Sequence, residues 1–176
     1  MAIDRQKTET VHWHAVFTAS RAEKKVRDRL EELGVECFLP VQTVLRQWTY
    51  RKSRVVVPVI AGLVFVRVGR QEQVKVLQTK GVVAFLRLKG EAGAAVIPDK
   101  QMEDFRFLLD FSEEAVGMTN ENIKAGDLVR VVKGSLRGME GELIRHKGVT
   151  KVLVRIDMLG CAMVNIPASF VEKLNK

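Results

Sequence analysis

Residues 126–141 read Gly-Asp-Leu-Val-Arg-Val-Val-Lys-Gly-Ser-Leu-Arg-Gly-Met-Glu-Gly, and no other stretch constrains the fold as much. A Val-rich strand, Leu128 to Val132, runs into a turn holding Gly134, Gly138 and Gly141. A second strand candidate, Glu142 to Arg145, follows at once. Glycine at this density permits positive φ and close backbone approach, which the corner of a small, tightly bent barrel requires. Lys133 and Arg137 make the turn basic. A small barrel with a positive loop points to nucleic acid or ribonucleoprotein rather than to metabolism.

Further short strands are expected at Lys151–Ile156, Cys161–Ile166 and Val171–Lys173. Regular short strands with glycine turns fit a small barrel over residues 123–176. A unit of that size is near the lower limit for an independent core. Before it, residues 112–122 are acidic and polar, as a linker would be. Residues 1–10 lack the apolar core of a signal peptide and are expected to be a flexible N-terminus.

Residues 11–111 alternate strands and helices. Val11 to Thr18 reads as a strand with Trp13, Ala15 and Phe17 on one face. Ser20 and Glu23 have capping-box spacing, and Ala22, Val26, Leu30 and Leu33 form the apolar stripe of the helix that follows. Val35 to Val41 returns as a strand. Val44 to Trp48 and Arg54 to Val57 make the arms of a hairpin. Gly62 to Val68 alternates too little for a half-exposed strand, so a central, doubly covered one is expected. Gln71 to Gln78 reads as a short helix and Val82 to Leu88 as a strand. Pro98 and Asp99 open a second long helix with Met102, Phe105, Leu108 and Leu109 inward.

The formal net charge is +8. Residues 1–98 carry 17 basic and 9 acidic side chains, residues 99–122 carry 2 and 7, and residues 123–176 carry 10 and 5. Two basic bodies flank an acidic segment, so polyanions are attracted at both ends. No apolar run approaches the roughly 20 residues of a membrane span, so a cytoplasmic chain without a membrane partner is expected. Cys37 and Cys161 follow no metal or redox spacing and read as buried free thiols.

Enzyme chemistry finds little support. His12 and His14 share one face of a strand, and no carboxylate or Cys lies close enough in sequence to suggest a metal site with them. His146, between Arg145 and Lys147, fits a phosphate contact better than a base. There is neither a phosphate-binding Gly-rich loop with Lys-Ser/Thr nor a nucleophile elbow. No cofactor, metal or catalytic residue is expected.

The residues resemble the NusG family of transcription elongation and antitermination factors. Gly126-Asp127, the glycines at 134, 138 and 141, residues 156–160 and Phe170-Val171-Glu172-Lys173 are similar to its KOW domain. Residues 12–16, the helix after Ser20, Arg51-Lys52-Ser53, residues 61–66 and residues 80–85 are similar to its NGN domain. The resemblance implies an α+β chain: an NGN α/β sandwich, mostly antiparallel sheet flanked by helices, over 11–111, a linker over 112–122 and a small SH3-like KOW β-barrel over 123–176. Residues 35–40 and Phe85-Leu86-Arg87 look more like the operon-specific branch that includes RfaH and the UpxY antiterminators of capsule operons.

The same resemblance implies partners and sites. The apolar depression that meets the RNA polymerase β′ clamp helices corresponds to Ile60, Leu63 and Phe65, with Phe17 and Phe85 as neighbours; the alternative for all of them is simple core packing. Glu72 and Gln73 correspond to a contact with the β gate loop. Ser20, Arg21, Lys24, Lys25, Thr79 and Lys80 correspond to contacts with the non-template DNA strand, and Arg51 and Lys52 add a basic hairpin tip. Arg46, Trp48 and Tyr50 interleave with these two. The tip is either a base-contacting surface or a solvated turn with Trp48 folded back on the sheet. Leu159, Ile144, Lys133 and Arg137 correspond to a KOW partner surface for ribosomal protein S10 or Rho. Val and Gly richness favours a β form of that domain over a helical one. The resemblance implies a monomeric factor that suppresses pausing and termination. The alternatives are a general NusG that couples polymerase to Rho or the ribosome, and an RNA-binding, ribosomal-type KOW protein.

Overall fold

The computed structural model describes residues 9–175. Most of the expected flexible N-terminus lies outside the described residues. Within it, the Glu9 carboxylate accepts a hydrogen bond from Gln71 N at 2.9 Å. The first elements are β1 (His12–Thr18), α1 (Glu23–Glu32), β2 (Glu36–Phe38), β3 (Val41–Gln47), β4 (Lys52–Pro58) and β5 (Leu63–Val68). Then come α2 (Glu72–Leu77), β6 (Val82–Phe85), α3 (Asp99–Phe111) and β7 (Gly117–Thr119). The chain ends in β8 (Asp127–Val131), β9 (Glu140–His146), β10 (Val149–Ile156), β11 (Gly160–Asn165), a 3-10 turn (Ala168–Phe170) and β12 (Val171–Lys173). No helix among the described residues is long and apolar enough to cross a membrane.

The chain divides into two compact units. One comprises the residues up to Leu39 together with Gly62–Val96, the other Pro40–Ala61 together with Ile97–Lys176. In the first unit, four antiparallel strands lie in the order β2-β5-β1-β6. β5 is central, and all its side chains but Arg67 are buried. Cover on both faces removes the need for alternation, so the sequence reads as a continuous apolar run. Val26 and Leu30 of α1 and Val76 of α2 are fully buried. Burying each such side chain contributes about 1.5–3 kcal/mol.

Ser20 does not cap α1. The helix starts at Glu23 with Ala22 at the N-cap and no side-chain cap bond. Arg21, at φ 58°, puts a tight turn where the cap was expected. The Glu23 carboxylate is buried and accepts from Gly62 N at 2.7 Å instead. A tertiary acceptor role has displaced the local box.

In the second unit, β3 and β4 pair over their full lengths and make a longer hairpin than expected. α3 buries Met102, Phe105 and Leu108, while Leu109 is half-buried. Six antiparallel strands follow in the order β12-β8-β9-β10-β11-β7. α3 packs on β10, and the Gln101 side-chain carbonyl accepts from Asp157 N at 2.8 Å. Residues 112–122 are not all linker, because Gly117–Thr119 is an edge strand paired with Cys161–Met163. Val116 is buried beside it, and its N–H and C=O are both bonded to the Gln42 amide. Backbone groups satisfied in this way hold the segment down.

The glycine run does what its density required. Gly134 and Gly138 take φ of 81° and 93° in the turn. At Gly126 a Cβ would stand 2.1 Å from the Leu143 carbonyl oxygen, so only a bare Cα fits against β9. Gly126 N donates to the Glu142 carboxylate at 3.0 Å. The other Glu142 oxygen accepts from Arg155 Nε at 2.6 Å, and Arg155 Nη2 bonds Glu142 at 2.9 Å and the Ile123 carbonyl at 3.0 Å. This network fastens the chain entering β8 to the middle of the sheet.

Candidate functional site

In the first unit, the turn after β1 is tied to the turn before β6. Ala19 N donates to the Gly81 carbonyl at 2.8 Å, and Arg29 Nη1 donates to the Lys80 carbonyl at 2.7 Å. Around these turns Ser20, Arg21, Lys24, Lys25 and Lys80 are all exposed. Five of the six residues expected to meet DNA in this region are therefore exposed at or beside the tied turns. Thr79 does not join them: it is buried, and its hydroxyl donates to the Lys75 carbonyl at 3.0 Å. Arg29, on the basic face of α1, ties the two turns through a partner 51 residues away, which no local pattern shows. Clustered cations of this kind attract polyanions by long-range field and counterion release.

The strand register sorts the apolar candidates. Phe17 pairs with Leu63 and Ala15 with Phe65, so these side chains share one face of the sheet. Phe38 pairs with Phe65 on that face, and the two rings stack with centroids 6.2 Å apart. Leu63 and Phe65 are buried at 1 % and 0 % exposure, whereas Phe17 is 40 % exposed. Phe85 pairs with Val16, which points the other way. Its ring is buried against His14, edge-to-face at 5.7 Å, so it is not a neighbour of Phe17 on the sheet face. Ile60 belongs to the second unit and is half-buried. Val83, at 64 % exposure, is an apolar surface residue that sequence reasoning missed.

His14 is structural. It is buried, its Nδ1 donates to the Ala95 carbonyl at 2.8 Å, and burial holds its pKa below the ordinary 6.5. Cys37 is half-buried rather than buried, and its thiol is pushed up to about 11, mainly by desolvation. A thiol so rarely ionised is a poor nucleophile or metal ligand. In the second unit, Arg51 and Lys52 are exposed at the tip of the hairpin, where Trp48 is 56 % and Tyr50 97 % exposed. Trp48 is not folded away.

Residues 11–106 match the family model described as transcription termination factor NusG. The chain belongs to the NusG family. Its members are non-enzymatic transcription factors, and the matched residues cover the NGN part of the resemblance. Among solved structures, a study of domain interaction in Thermotoga maritima NusG aligns at 22 % identity and TM-score 0.50. The alignment covers 94 % of this chain and 98 % of that one. It shows a shared α+β fold of mostly antiparallel sheets and few helices. Two conformations of the MjSpt4:Spt5 complex align at 17 % identity, with TM-scores of 0.31 and 0.29. They cover 93 % of this chain and 97 % and 99 % of those chains. No curated protein matches the chain at a significant level.

Glu72 and Gln73 lie in the first turn of α2, both half-buried, with the Glu72 carboxylate accepting from Gly69 N at 3.4 Å. Leu159 is half-buried in the β10–β11 turn beside exposed Met158. Ile144 packs against the interior cluster of Leu153, Cys161 and Met163. Lys133 and Arg137 are exposed at the glycine turn, where a cavity of about 150 Å³ is lined by Lys133, Leu136, Ile166 and Phe170.

Proposed function

We propose that this chain is a transcription antitermination and elongation factor that binds RNA polymerase and suppresses pausing and termination. The observation that carries the reading is the family match over residues 11–106. In this reading residues 11–111 act as an NGN domain, residues 112–122 lead out of it, and residues 123–176 act as a KOW domain that recruits ribosomal protein S10 or Rho. The clamp helices of the β′ subunit meet the sheet end where Phe17 is exposed, with Leu63 and Phe65 shaping the floor beneath. The free energy comes from apolar burial there. Glu72 and Gln73 face the β gate loop. Arg21, Lys24, Lys25 and Lys80 hold phosphates of the non-template strand, which orients the factor without reading sequence.

Leu63 is too buried for a clean test, since an acidic side chain there would break the core. Phe17→Asp tests the contact. In a pull-down with RNA polymerase, wild type should be retained and Phe17→Asp should lose roughly tenfold or more in affinity, as an exposed aromatic anchor would. Failure of wild type to retain polymerase would overturn the proposal.

We further propose the operon-specific branch, acting on a capsular or other surface polysaccharide operon. The family's own description, a termination factor, favours the second reading of a general factor coupled to Rho or the ribosome. Transcriptome sequencing after gene deletion separates the two. A loss confined to the distal genes of one long operon supports the specialised factor, and a genome-wide change supports the general one.

A further inference from the structure

The hairpin of β3 and β4 carries Arg46, Arg51, Lys52 and Arg54, and no acidic residue occurs between positions 41 and 58. Its register fixes which side chains share a face. Leu45 stands opposite Arg54 and Gln47 opposite Lys52, while Arg46 stands opposite Ser53 on the reverse face. At the end of the ribbon Trp48 N donates to the Arg51 carbonyl at 2.8 Å, and Arg51 N returns a bond to the Trp48 carbonyl at 3.3 Å. Trp48 and Arg51 are thus a directly opposed cross-strand pair on the face that carries Arg46. Tyr50 sits in the turn beyond them as the most exposed large apolar side chain of the described residues.

Two exposed rings among four cations are a poor arrangement for a solvated turn, because large rings gain most when covered. The charge selects a polyanion as the cover. Rings stack on bases only where those bases are unpaired, since a duplex already stacks its own. We infer that the hairpin tip is a stacking site for unpaired bases of a DNA single strand. Trp48 and Tyr50 take the bases, and Arg46, Arg51 and Lys52 take the flanking phosphates. The choice of DNA rests on the proposed action at a transcribing polymerase, where a displaced DNA strand is the nearest unpaired polyanion. This site adds base contact, which the phosphate-binding turns of the first unit lack.

The test uses the full chain without polymerase, so the outcome is independent of whether the clamp contact exists. Intrinsic tryptophan emission is followed while a thymidine dodecamer, a duplex of equal length or a uridine dodecamer is added at low salt. The single-stranded DNA should quench emission and the duplex should not. Trp48→Phe should abolish the quench, because the only other tryptophan, Trp13, is 4 % exposed. Trp48→Ala and Tyr50→Ala should each weaken binding roughly tenfold with thermal melts unchanged. Arg21→Gln with Lys24→Gln should weaken binding but keep the quench. Binding of the thymidine strand without quenching, or equal quenching by duplex, overturns the proposal. Tighter binding of the uridine strand overturns the assignment to DNA.

Discussion

Gly160→Ala should destabilise the chain by at least about 3 kcal/mol, a large share of the roughly 5–15 kcal/mol that holds a typical domain folded. Two effects add at this position. Gly160 has φ 105°, a conformation essentially closed to residues with a Cβ. An added Cβ would also stand 2.1 Å from the Thr119 carbonyl oxygen and 3.0 Å from Asn120 Cα. Both obstacles are backbone, so no side chain can swing aside. Strand β7 would have to leave β11, breaking the pairs Cys161–Thr119 and Ala162–Met118. Urea unfolding followed by circular dichroism should show a lower midpoint. Gly93→Ala is the control: nothing lies within 4 Å of its Cβ and its φ is not positive, so a change within about 0.5 kcal/mol is expected. Equal midpoints for the two variants would refute the strain argument.

Removing the carboxylate of Glu142 should be nearly as damaging, by about 2–4 kcal/mol for Glu142→Ala. That group is the shared acceptor for Arg155 and for Gly126 N, and its side chain is only 16 % exposed. Its loss leaves the guanidinium without its anion and the entry to β8 without an anchor. The same network makes stability depend on pH. The hydrogen bonds from Arg155 hold the Glu142 pKa below the ordinary 4.5. A carboxyl whose folded pKa is lowered stabilises fully above its unfolded value and loses that contribution as pH falls through the folded value. Wild type should therefore lose stability as pH drops below about 4.5. In Glu142→Gln that part of the acid loss should be missing, leaving a flatter curve. Parallel acid limbs for the two proteins would show that the ion pair contributes nothing.

The order of elements was legible because each has a local cause. The start of α3 has a local cause in Pro98, which stands at the N-cap with its φ fixed by the ring, and in Asp99, whose charge suits the first turn. Strand β5 was recognised by its unbroken apolar run, which two covered faces demand. The local reading failed where a distant partner decided the outcome. The Ser20–Glu23 spacing looked like a cap, yet Glu23 was claimed by Gly62 N, 39 residues on. Residues 112–122 looked like a linker because a three-residue edge strand has no room for a period, and its register comes from β11.

The candidate site was half legible for a related reason. Cations announce exposure, and Arg21, Lys24, Lys25 and Lys80 do stand on the surface. Apolar strand residues look alike in sequence whether they meet the core or solvent. Only the register separates Phe17, exposed, from Leu63 opposite it, buried. The shift in pairing between Phe17 and Thr18 could not be foreseen from alternation.

The bond from Gly62 N to Glu23 joins a second one, from Thr18 N to the Gly62 carbonyl at 2.8 Å. Together with Ala19 N on Gly81, they lock three loops at the edge that carries both Phe17 and the basic turn. The spacing between ring and charges is then set before any encounter. A surface assembled in advance loses little entropy on association and needs no slow rearrangement after first contact. On the proposed reading, binding of polymerase at this edge should proceed in a single kinetic phase whose rate rises linearly with partner concentration and falls with added salt.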